Sequence, residues 1–126
     1  MSDMREIEKK ITVILQRVAS EVDLHTLALI TTEGRRIAYF SKMNVDPDLL
    51  SASVAAILNM GQMTVSQFQQ GELLEIVVRG SEGYTIVSCA GQGFLMIGAG
   101  IQSSDLGLTV SVLRDYSKMI GEILSI

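Results

Sequence analysis

Between Asp46 and Gly71 the chain reads DPDLLSASVAAILNMGQMTVSQFQQG, and the assignment of this stretch settles the architecture on either side of it. Asp46-Pro47 is a helix-opening pair. The aspartate suits the N-cap, and proline at the first helical position has no N–H to leave unsatisfied. The spacing predicts a helix running to about Gln69 and stopping at Gly71. At 100° per residue one face collects Leu50, Val54, Ile57, Leu58, Gly61, Val65 and Phe68, enough to pack on a sheet. A helix covered on one face normally carries Lys and Glu on the other, yet from Leu49 to Gly71 there is no charged residue. A second stripe holds Ala52, Ala56, Met60, Met63 and Gln67. Small residues there allow close approach of another backbone, and methionine fills irregular gaps. The remaining back, Ala55, Asn59, Gln62 and Ser66, is polar but uncharged.

Upstream, Met4, Ile7, Ile11, Ile14, Leu15, Val18 and Val22 recur at three- and four-residue steps, which predicts a helix over residues 3–22. Asp3 and Glu6 have the spacing of a capping box. A β-hairpin follows, Thr26 to Thr31 and Arg35 to Ser41, turning at Glu33-Gly34, where glycine supplies the positive φ of a tight turn. Downstream, strands are expected over Leu73–Arg79, Tyr84–Ala90 and Phe94–Ile101. The short links Gly80-Ser81-Glu82-Gly83 and Gly91-Gln92-Gly93 suit antiparallel hairpins. A last helix is expected from about Ser104 to Leu124. The order α-β-β-α-β-β-β-α over residues 1–126 predicts one α+β domain. It is an α/β/α sandwich with a five-stranded antiparallel sheet, the first and last helices on one face and the middle helix on the other. Runs such as Leu27-Ala28-Leu29-Ile30 and Phe94-Leu95-Met96-Ile97 are apolar on both faces, as a sheet covered on both sides requires.

Composition narrows the function. Of 126 residues 48% are hydrophobic and 19% charged, which excludes disorder. The net charge of -4 and ten scattered Lys and Arg argue against nucleic acid as a partner. The lone cysteine, Cys89, cannot form an internal disulfide and fits a reducing compartment. Met1 to Glu6 lacks the apolar run of a signal peptide, and the polar load of Asn59, Gln62, Gln67, Gln69 and Gln70 speaks against membrane insertion. A cytoplasmic protein is the consistent expectation. Residues 1–48 carry 15 of the 24 charges and residues 49–126 only nine; depletion of charge with methionine enrichment marks an interface core. Leu73 to Val78 adds an apolar strand with no proline or lysine to guard it, expected at a sheet edge, where such a strand aggregates or pairs by design. These features predict a homodimer built on Ala52, Ala56, Met60, Met63, Gln67, Leu73, Glu75 and Val77.

Catalytic machinery is sparse. His25 is the only histidine, with neither a second histidine nor a cysteine near it, so no metal site is expected. Cys89 reads as a small hydrophobe inside an apolar strand. No Ser-His-Asp set assembles. Gly98-Ala99-Gly100 lies between strand and helix as a dinucleotide fingerprint does, but no strand follows that helix; these glycines instead thin the strand for close packing. No P-loop motif occurs, and no cofactor is expected. Arg35-Arg36 reads as a solvated hairpin; contact with an acidic partner, or a trans-acting arginine finger, is the alternative.

Three segments resemble the roadblock/dynein light chain family, in particular its prokaryotic MglB-type regulators of small Ras-like GTPases. They are Leu27 to Ala38 across the Thr32-Glu33-Gly34 turn, the long small-residue helix after Asp46-Pro47, and the strand pair Glu72–Val78 and Gly83–Cys89 followed by a glycine-bearing strand. The resemblance implies dimerisation through the strand after the long helix and through that helix, here Leu73–Val78 with Ala52, Ala56, Met60 and Met63. It further implies that the paired helices form a platform for a small GTPase, with Ala55, Asn59, Gln62 and Ser66 as platform positions. GTP hydrolysis would be stimulated by reshaping the GTPase's own site, with no arginine inserted. Two other readings stand beside this one. The first is a nucleotide-independent dimeric scaffold for a motor or signalling complex. The second is a PAS- or profilin-like binder of a small ligand or peptide, which a content of 5% aromatics and no tryptophan disfavours for proline-rich ligands.

Overall fold

The computed structural model describes residues 4–101 and 105–124. Its elements are α1 (Met4–Val22), β1 (Thr26–Thr31), β2 (Arg36–Ser41), α2 (Pro47–Gln67), β3 (Glu75–Arg79), β4 (Gly83–Cys89), β5 (Phe94–Ile101) and α3 (Leu106–Leu124). The strands form one antiparallel sheet in the order β2-β1-β5-β4-β3. The expected capping residue Asp3 and the expected helix start Ser104 lie outside the described residues. At α3 the capping part is taken by Asp105, whose carboxylate accepts from the Leu108 N–H at 3.0 Å.

Alternation along the strands divides the core in two. Leu27 and Leu29 of β1 join Ile11, Leu15, Val18, Ile86, Met96, Leu113 and Ile120 beneath α1 and α3. Ala28 and Ile30 face the other way and join Val54, Leu58, Val87, Leu95 and Ile97 beneath α2. The doubly apolar strands therefore have the two-sided cover their sequence demands. Gly98 shows how closely the first layer packs. A Cβ there would lie 2.8 Å from Leu113 Cδ1 and 2.9 Å from Leu24 Cδ1, so the bare backbone of β5 receives both side chains. At the β1–β2 turn Gly34 has φ +92, and its N–H donates to the Thr31 carbonyl at 2.9 Å.

Strands β2 and β4 shift by one residue, to Arg36–Ser41 and Gly83–Cys89, and two boundaries beside the candidate surface move as well. Helix α2 ends at Gln67, with Phe68 as C-cap and Gln69 reversing the chain at φ +55, ahead of Gly71. Regular pairing of β3 begins at Glu75 and not at Leu73; ahead of it the Cys89 thiol donates to the Leu73 carbonyl at 3.2 Å. One assignment is corrected outright. Phe68, expected on the sheet-facing side of the helix, is the C-cap and is 66% exposed, seven residues beyond Gly61, where α2 already lies over the edge strand β3.

Candidate interaction surface

The seating of α2 follows from its first turn. The Asp46 carboxylate accepts from the N–H groups of Asp48 and Leu49 at 3.0 and 3.4 Å, and Pro47 opens the helix. Ser51 is buried, its hydroxyl donating to the Pro47 carbonyl at 2.9 Å, and its backbone lies against the Gly34 turn. Val54 and Leu58 enter the core. One turn further, Gly61 sits over β3, where an added Cβ would come within 2.8 Å of Ile76 Cδ1 and 3.2 Å of Leu73 Cδ2. Three contacts in series thus run α2 from the β1–β2 turn across to the opposite edge of the sheet.

The second stripe of α2 is open. Ala52, Ala56 and Gln67 are exposed, and Met60 and Met63 are 69% and 66% exposed. Such an apolar surface is larger than a scatter of single exposed residues. By length and composition alone α2 is also long and apolar enough to cross a membrane. The four polar-back residues separate from the methionine stripe. Ala55 approaches the Gly34 turn, Gln62 and Ser66 line a groove of 870 Å³ with Leu58, Val65, Leu73 and Leu95, and Asn59 is exposed. Helix α2 therefore offers two flanks, one methionine-rich and one bordering a groove.

Strand β3 forms the outer edge, with its free side toward solvent. Cys89 N–H donates to the Leu74 carbonyl at 3.1 Å and Gly80 N–H to the Gly83 carbonyl at 2.8 Å. Antiparallel alternation then assigns the backbone of Ile76 and Val78 to β4, and turns that of Glu75, Val77 and Arg79 outward. Leu74 is 64% exposed at the head of this strand. The Glu75 carboxylate is gripped by both Nε and Nη2 of Arg114 on α3, which places the side chains of Glu75, Val77 and Arg79 on the α1/α3 face. Sequence gave no sign of this ion pair, since 39 residues separate the partners. The groove was equally invisible, because Thr32, Gln69 and Phe94 reach it from three separate segments.

The chemistry-bearing side chains are already engaged. His25 is half-buried, with Nδ1 2.8 Å from Thr26 Oγ1, which lies 2.8 Å from Ser41 Oγ; burial lowers the imidazole pKa. Cys89 is half-buried rather than enclosed in the core. Burial first, then the charges of Glu72 and Glu75, push its thiol pKa up. The nucleophile is the thiolate, so Cys89 is expected to react with iodoacetamide at pH 8 about 10-fold more slowly than free cysteine, read by mass spectrometry. Reaction at the free-cysteine rate would contradict this geometry. Among the described residues no group of three or more His, Cys, Asp and Glu is placed to hold a metal.

The sequence profile of the Roadblock/LC7 domain matches residues 10–99, from within α1 to near the end of β5. The chain belongs to the Roadblock/LC7 family. Solved structures share the fold. An MglB with a tetrameric arrangement superposes with a TM-score of 0.87 at 17% identity, covering 93% of this chain and 89% of that one. The gliding protein MglB of Thermus thermophilus gives 0.87 at 18% identity, covering 93% and 90%. A Schizosaccharomyces pombe profilin gives 0.66 at 11% identity over 89% and 97%, so the α/β/α sandwich extends beyond the Roadblock/LC7 family. Among curated proteins none matches the sequence.

Proposed function

We propose that this Roadblock/LC7 protein is a homodimeric, non-catalytic adaptor that binds a small Ras-like GTPase and regulates its nucleotide cycle. The observation that carries the reading is the uncharged, solvent-exposed flank of α2 beside an unguarded β3 edge. A second copy joining at β3 extends the sheet and brings two α2 helices side by side. Ala52, Ala56, Met60, Met63 and Gln67 then supply the contact between helices, with Leu73, Glu75 and Val77 at the strand. The groove flank of Ala55, Asn59, Gln62 and Ser66 is left as the platform. Support for the partner class is the MglB-type resemblance, and the MglB with a tetrameric arrangement supports self-association. Regulation requires only that the platform bind one GTPase conformation better than the other. No residue of this chain needs to enter the chemistry.

The test is a titration of a candidate Ras-like GTPase, loaded with GDP or with a non-hydrolysable GTP analogue, into the purified protein, followed by single-turnover GTP hydrolysis. At least ~10-fold tighter binding to one nucleotide state is expected. Tight binding that ignores the nucleotide would instead select the scaffold reading.

A further inference from the structure

We infer that two copies of the chain join at β3 in one register, with Val77 on the two-fold axis and Glu75 opposite the partner's Arg79. The inference rests on the self-association proposed above and adds what selects its geometry. A two-fold axis perpendicular to a sheet pairs residues whose side chains share a face, so the axis must pass through a residue and not between two. Within Glu75–Arg79 that leaves five centres.

Charge and hydrogen bonding separate them. A centre at Glu75 sets two carboxylates opposite one another, and a centre at Arg79 sets two guanidinium groups so; like charges directly opposed weaken a sheet. A centre at Ile76 pairs Glu75 with the partner's Val77 and leaves the outward groups of Arg79 beyond the regular strand. A centre at Val78 does the same to Glu75. Only Val77 overlaps the strand fully with its copy. It also brings all three outward-facing residues, Glu75, Val77 and Arg79, into hydrogen-bonded pairs. The same register sets opposite charges across the seam at both ends, on the α1/α3 face that already holds Arg114. Each Glu75 carboxylate then lies between its own Arg114 and the partner's Arg79. On the other face Ile76 meets the partner's Val78, continuing the apolar surface beneath Gly61. The ion pair of Glu75 with Arg114 thereby holds in place the group that reads the register.

Two charge variants test this. Arg79→Glu makes the edge wholly acidic and Glu75→Arg makes it wholly basic. Each alone is expected to raise the dimer dissociation constant at least ~10-fold, while an equimolar mixture forms heterodimer in large excess over either homodimer, read by native mass spectrometry. In the unaltered protein, raising NaCl from 50 to 500 mM is expected to weaken the dimer ~5-fold. A dimer that persists in both variants, shows no preference for the heterodimer and ignores salt overturns the register alone. An unaltered chain that sediments only as monomer overturns the self-association beneath it.

Discussion

Val77→Pro is expected to turn the proposed dimer into a folded monomer of 13.7 kDa. The reason is which way one N–H points. Val77 is 43% exposed, and its backbone faces outward from β3 while Ile76 and Val78 bond to β4. Proline at Val77 removes no bond inside the subunit, and edge strands tolerate it for that reason. At the seam it deletes a donor from each copy and sets two rings against each other on the axis. The dissociation constant should rise about 100-fold or more, roughly 3 kcal/mol. Monomer stability should fall by only about 1 kcal/mol. Ile76→Pro is the contrast, because it breaks the β3–β4 ladder and should cost the subunit itself about 3 kcal/mol. Sedimentation velocity and urea denaturation of both variants separate the effects. A Val77→Pro protein that still sediments as the parent dimer would remove β3 from the interface.

Leu113→Ala carries the largest expected loss of subunit stability, about 3–5 kcal/mol by urea denaturation. Leu113 is fully buried, and its Cδ1 stands over Gly98, where β5 has no side chain. Truncation leaves a hole whose floor is backbone, and a sheet in register on both sides cannot rise to close it. Met119→Ala, on the same helix but 46% exposed, should cost less than about 1 kcal/mol. Equal losses in the two variants would mean that α3 is not locked onto Gly98 as the geometry indicates.

The two predictions draw on features of different legibility. The pairing of bulk with its absence around Gly98 was half legible: the glycine read as a thinned strand, but its occupant, Leu113, came from the helix α3. The α2 stripe of Met60 and Met63 was conspicuous because a surface helix without charge after its first turn breaks the usual amphipathic rule. Phe68 read as core because counting at 100° assumes the helix continues, and no sequence signal outranked Gly71 as the stop. Gln69, a residue without glycine's freedom, reverses the chain at positive φ instead. The ion pair of Glu75 with Arg114 and the groove beside Gln62 and Ser66 escaped reading altogether. Both are made by residues that meet only after the sheet is assembled.

The amino-acid sequence by itself determined the element order, the two-sided sheet and a central helix without charge beyond its first turn. Each of these is a periodicity or a capping choice fixed by neighbours within a few residues. Tertiary structure alone decided the order of the strands between the two edges, which N–H groups of β3 turn outward, and that Glu75 is held by α3. Strand order and hydrogen-bond phase depend on which distant segments share a layer, and chain-local patterns carry no record of that.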